Sequence, residues 1–196
     1  MSRGFQILGL VSLISVGAGN ALAQPSPAMS TVAPADALNG VVVAGVNPAP
    51  LPATILTITV NDAAGVPVPF IPVRIFLNAP TTPWCPQVGG GPIIGMTDAA
   101  GVMTTKMPAG GCAPNFAGAC TIWAAGVQIR SYHNVKSPDW DGAGANGIVN
   151  IADLLAFAAE FNGVAPPMCH DYNNDGLCNL NDLVIFGAAF SRALKC

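Results

Sequence analysis

Charge is scarce in this chain. Of 196 residues only 9% are Asp, Glu, Lys or Arg, the formal net charge is -3, and 52% are hydrophobic. So few basic residues exclude the cationic stripe that nucleic acid requires, and no nucleic-acid partner is expected. So little charge on an apolar composition points to surface buried against copies of the chain itself or another protein. Histidine is scarcer still: His133 is read as a structural strand residue and His170 as a solvated flank. Neither lies in a His-Glu-x-x-His pattern, and no Gly-x-Ser-x-Gly elbow exists. Gly89-Gly90-Gly91 lacks the Lys of a phosphate loop. The sequence has no Cys-x-x-Cys pair, so zinc-ribbon and thioredoxin-like readings are weak. With no catalytic constellation, the chain is read as a non-enzyme.

Beyond the N-terminus no apolar run is long enough to span a bilayer. At the N-terminus itself, Arg3, the apolar run Ile7 to Val16 and the small-x-small triplet Ala21-Leu22-Ala23 predict a cleaved secretory signal over 1–23. The protein is therefore expected to be exported, secreted or held at the cell surface, with a mature start near Gln24. All six cysteines (Cys85, Cys112, Cys120, Cys169, Cys178 and Cys196) lie beyond this signal. An even count in an exported chain favours disulfides and leaves their connectivity open. A Cys169–Cys196 bridge is expected if the ends of the C-terminal segment meet. Cys178 is either a packed thiol or a bridge to the N-terminal part.

Residues 24–38 are rich in Pro, Ala and Ser without periodicity, and read as a linker or mobile tail. Asn39 to Val46 is a short apolar strand. It either opens its own domain or is donated to the open sheet edge of a neighbouring molecule. Leu56, Ile58 and Val60 alternate with Thr57 and Thr59, and Ile71, Val73, Ile75 and Leu77 mark the next strand with Arg74 outward. Two Asp-Ala-Ala-Gly segments, at 62–65 and 98–101, predict the same turn twice: Asp bonds its own turn backbone and Gly accepts positive φ. Ile93 to Thr97, Val102 to Met107, Cys120 to Ala124 and Val127 to His133 complete a series of short strands. Their spacing predicts an antiparallel β-sandwich over 39–136. The stretch Thr59 to Pro69, with its echo Thr97 to Val102, resembles bacterial Ig-like domains of the invasin type. That resemblance implies a structural or adhesive module.

The strongest pattern begins at Asp171. In Asp171-Tyr172-Asn173-Asn174-Asp175-Gly176-Leu177-Cys178-Asn179-Leu180-Asn181-Asp182, oxygen-bearing side chains fall at positions 1, 3, 5, 9 and 12, with Gly at 6. Ca²⁺ is a hard cation taking roughly six to eight oxygens, and an EF-hand-type loop presents them at this spacing. Asp171, Asn173, Asp175, Asn179 and Asp182 would supply side-chain oxygens and Leu177 its carbonyl. Shifting Asp175–Phe190 back by 29 lands on Asn146–Phe161 with Gly, Asn, Asp, Leu and both Phe positions kept, so the unit occurs twice. A three-residue insertion, Ala143-Gly144-Ala145, restores the start of the first copy. Its ligands become Asp139, Asp141, Asn146, Ile148 by its carbonyl, Asn150 and Asp153.

A helix is expected after each loop, with stripes Leu154, Phe157, Ala158, Phe161 and Leu183, Phe186, Gly187, Phe190 packing on each other. Seven of the ten acidic residues lie beyond Ser137-Pro138, where they would repel one another without a cation. Two loop–helix repeats with Asn at position 9 and Asp at position 12 resemble a dockerin over residues 137–196. The resemblance implies two bound Ca²⁺ ions and a small helical module. Cellulosomal dockerins carry a Ser/Thr pair for the cohesin partner at positions 10 and 11, where this chain has Ile151-Ala152 and Leu180-Asn181. The fold expected is mainly β with a small α module: an Ig-like antiparallel sandwich followed by a dockerin-like two-helix calcium-binding module. The function expected is that of an extracellular structural or assembly subunit.

Overall fold

A computed structural model describes residues 23–34, 40–86 and 89–196. The signal-peptide reading falls on residues outside that range, Ala23 apart. Nine strands precede two helices: β1 (Thr31–Ala33), β2 (Gly40–Val42), β3 (Ile55–Thr59), β4 (Pro72–Leu77), β5 (Ile93–Met96), β6 (Val102–Lys106), β7 (Cys120–Ala124), β8 (Val127–Tyr132), β9 (Asn134–Lys136), α1 (Ile151–Phe161) and α2 (Leu180–Ser191). The chain is thus mainly β with two helices, and no helix among the described residues is long and apolar enough to cross a membrane.

The strands form three sheets, ordered β1-β3-β6, β5-β4-β7-β8 and β2-β9. Alternation does what period two requires: Leu56, Ile58 and Val60 are buried, as are Val73 and Ile75, while Arg74 points out. Those residues, with Val32, Met103, Ile122, Ile129 and Tyr132, make one core drawn from both larger sheets. The two Asp-Ala-Ala-Gly turns are chemical copies. Asp62 Oδ1 accepts from the Ala64 and Val66 N–H groups, and Asp98 Oδ1 from those of Ala100 and Val102. Gly65 and Gly101 take φ of 79° and 73°.

Three expectations need correction. The segment 24–38 is not all tail: β1 lies within it and pairs antiparallel with β3, with Val32 buried. Its single buried side chain is too little for periodicity to register. The sheets are not all antiparallel either, because β2 runs parallel to β9. That pairing also occupies, within its own chain, the strand considered for donation to a neighbour. Finally, Cys169 and Cys196 do not bridge each other. The disulfides are Cys85–Cys196 and Cys112–Cys169, and each ties the C-terminal segment to a loop of the β region. Cys120 and Cys178 are free thiols.

Strand β2 and the two residues after it explain why the β and α parts sit so closely. Val41 and Val43 enter the first core, while Val42 and Ala44 enter a second, built with Leu51, Val149, Phe157, Tyr172, Phe186 and Leu194. In that second core the rings of Phe157 and Phe186, which are 29 residues apart, stack at 4.6 Å. The expected packing of the two helical stripes is met at these positions. Phe161 and Leu183, at the stripe ends, are only partly covered, each 38% exposed.

Candidate calcium loops

Both loops close by the same hydrogen-bond scheme. In the second, Asp171 Oδ1 accepts from the Asp175 N–H and Oδ2 from the Gly176 N–H, each at 3.1 Å. Asp175 Oδ1 accepts from Leu177 N–H at 2.9 Å. Asp182, the third helical residue, accepts through Oδ2 from Asn179 N–H at 3.0 Å, while Asn179 caps the helix by accepting from Asn181 N–H. Gly176 has φ of 87°, a conformation a Cβ would strain.

The first loop reproduces these contacts across its insertion. Asp139 Oδ1 accepts from Asn146 N–H at 3.0 Å and Oδ2 from Gly147 N–H at 2.9 Å. Asn146 Oδ1 accepts from Ile148 N–H, and Asp153 Oδ2 from Asn150 N–H. Gly147 has φ of 84°. Position 4 is left-handed in both loops as well, being Gly142 in one and Asn174 in the other. Aligning Asp139 with Asp171 and Asn146 with Asp175 therefore places three extra residues at 143–145. One of them, Ala145, packs toward Gly110 of the β region, where a Cβ would meet it at 2.7 Å and Asp139 Oδ2 at 2.5 Å. Of the insertion, Ala145 thus makes the contact with the loop that carries Gly110.

The carboxylates fall into two classes. Burial pushes Asp139, Asp153 and Asp182 up; the charge of Asp141 adds to the rise at Asp139, those of Asp139 and Asp141 at Asp153, and that of Asp171 at Asp182. The exposed pair is held low by hydrogen bonds: Asp141 by the Ala143 and Gly144 N–H groups, Asp175 by the Asn173 amide and the Leu177 N–H. Among the described residues no three His, Cys, Asp or Glu side chains are drawn into one cluster. The donors here are mixed, with amide and main-chain oxygens between the carboxylates. One atom marks the fit to a cation. Asp153 is fully buried, and its Oδ1, facing the Trp140 N–H, closes no hydrogen bond of normal geometry. A buried carboxylate oxygen whose donor is poorly placed is costly unless a positive charge meets it. All-oxygen donors of this kind suit a hard divalent ion.

Around the second loop stand residues that the sequence did not single out. Lys136, at the end of β9, donates from Nζ to the Asp171 carbonyl and lies 3.5 Å from Asp171 Oδ2. Gly40 of β2 lies against the Asn174 side chain. His170 is not a solvated flank: it is fully buried, edge-on to Phe157, Phe186 and Tyr172, with Nδ1 3.0 Å from Glu160 Oε1. Burial raises the Glu160 carboxyl, but hydrogen bonds from His170 outweigh that and hold it below its ordinary range. Cys178 is the packed thiol of the two alternatives, pushed up to about 12 by burial and by the charge of Asp182. Val149 shares that core, yet its N–H donates to Leu194 O, and Cys196 N–H donates to Gly147 O. The C-terminal residues thus pair with the backbone of the first loop. Searches among known protein families, curated proteins and solved structures found nothing that matches this chain.

Proposed function

We propose that this is an exported, non-catalytic calcium-binding assembly protein, in which an Ig-like sandwich carries a dockerin-like module. Each loop would hold one Ca²⁺: Asp139, Asp141, Asn146, the Ile148 carbonyl, Asn150 and Asp153 in the first; Asp171, Asn173, Asp175, the Leu177 carbonyl, Asn179 and Asp182 in the second. The observation that carries this reading is the shared hydrogen-bond scheme of two loops with different lengths, ending in buried aspartates at position 12. Calcium would neutralise the buried carboxylates, so metal binding would also be folding energy. Two disulfides fit an oxidising, extracellular setting.

Assembly is assigned to the outer faces of the helices. Ile151 and Leu155 on α1, and Leu180 and Val184 on α2, are 62–72% exposed. They are equivalent pairs, 29 residues apart. Apolar side chains presented in this way favour association with a copy of the chain or with another extracellular protein. The same stripe supports a second reading, a docking module for a cohesin-like receptor, with apolar residues at the positions where a Ser/Thr pair is expected. Sedimentation of the mature chain with calcium and with chelator tests the first reading. Assemblies that chelator dissolves are expected; a calcium-loaded monomer that instead captures a cohesin-like receptor would reverse the order.

A further inference from the structure

The two loops differ in one charge. Each carries three carboxylates: Asp139, Asp141 and Asp153 in the first; Asp171, Asp175 and Asp182 in the second. Among the described residues only the second has a basic side chain in ion-pair contact, that of Lys136. This is no surface pair, since both side chains are 5% exposed. The lysine belongs to β9 and reaches the loop from the β region, 35 residues away in sequence. It meets Asp171 at the carbonyl and at Oδ2, the oxygen that also accepts from Gly176 N–H. Asp182 is likewise better satisfied than Asp153. Its Oδ1 accepts from Tyr172 N–H at 2.6 Å, where Asp153 Oδ1 has only the poorly placed N–H of Trp140.

Resting on the calcium reading, we propose that Lys136 is a built-in counter-cation of the second loop. It holds that loop in shape without metal and makes it the weaker of two calcium sites, so that the first loop fills before the second. The physical reason is direct. A fixed ammonium beside Asp171 offsets one of three negative charges and repels an arriving divalent ion, by about tenfold in affinity even with water-like screening. Among the described residues the first loop has no such offset, and its buried Asp153 keeps one poorly satisfied oxygen. Breaking a buried pair from one side leaves the other charge exposed to the full burial penalty, so the lysine also supports the metal-free fold.

Calcium titration calorimetry on the disulfide-bonded chain tests this, with wild type, Asp153→Asn, Lys136→Gln and the double variant. Gln can keep a donor to the Asp171 carbonyl while removing the charge. Wild type should bind in two phases about tenfold apart. Asp153→Asn should remove the tighter phase, and Lys136→Gln should tighten the weaker one about tenfold while lowering the melting temperature in chelator. A Lys136→Gln chain that folds only with calcium would meet the same expectation in stronger form; one unfolded even in saturating calcium would overturn it. Affinities in Lys136→Gln within twofold of wild type, or loss of the weaker phase in Asp153→Asn, would overturn the proposal and leave the calcium reading standing. No binding heat in any chain would remove both.

Discussion

The first and second loops share their hydrogen-bond scheme, their glycine at position 6 and their capping boxes, yet the surroundings treat them differently. The second leans on the β region through a buried lysine and has every oxygen of its position-12 aspartate engaged. The first leans on it through an alanine of its insertion and leaves one aspartate oxygen facing a poorly placed donor, the Trp140 N–H. Loop sequence sets which oxygens face inward. The scaffold beneath sets how much negative charge is left for a cation to meet. Two copies of one unit, each with three carboxylates, are therefore held in different electrostatic surroundings.

The largest expected effect concerns both loops together. At calcium about a thousandfold above the dissociation constant, each filled site should add about 4 kcal/mol. Thermal unfolding in calcium and in chelator, read by circular dichroism, should show a rise of well over ten degrees. Next come the disulfides, one beside each loop. Cys196 follows the tail residues that pair with the first loop, and Cys169 lies two residues before the second. Replacing either pair by Ser should cost about 2–5 kcal/mol, and the two costs should be nearly equal, because loop length enters only as a logarithm. Unfolding in denaturant measures both. A strong inequality would show that one loop depends on its staple more than the other.

The position-12 residues sharpen the comparison further. In chelator, Asp182→Asn should destabilise by about 1 kcal/mol or more, since its carboxylate accepts from several backbone donors. Asp153→Asn should cost less, because the charges of both Asp139 and Asp141 disfavour its ionised form and a single backbone donor, the Asn150 N–H, is well placed on it. Equal losses would erase the proposed difference between the loops. The smallest effect is a pH dependence confined to the second loop's flank. Glu160 is held below its ordinary value of 4.5. Its contribution is thus complete above that pH and is lost as pH falls through the lower, folded-state value. Glu160→Gln should remove this acid-side slope and cost about 1 kcal/mol at neutral pH, while leaving calcium binding at the first loop unchanged.

How much of this was legible in the sequence follows from distance along the chain. The loops read well because all their contacts are local. Asp171 meets Asp175 and Gly176, and even the insertion at 143–145 could be placed from the repeat. Strands β3 to β8 read well because alternation is local too. What stayed hidden is long-range. The Cys85–Cys196 bridge spans 111 residues and Cys112–Cys169 spans 57, and no local pattern encodes either. Lys136 drew no notice in the sequence, since nothing beside it announces an aspartate 35 residues away. His170 borders a polar loop in sequence, but three aromatic rings from separate segments enclose it. β1 and β9, at three residues each, are too short for any period to show.

One consequence concerns portability. A segment of 60 residues with its own repeat looks like a cassette that could be cut at Ser137 and moved to another protein. Strand β2 forbids it, because Val42 and Ala44 help fill the helical core from a position nearly a hundred residues upstream. The excised piece would lack those side chains, both disulfide partners and the lysine. Any graft of this helical unit must carry the β region with it, and selection acting on Gly40 to Ala44 is felt by both halves at once.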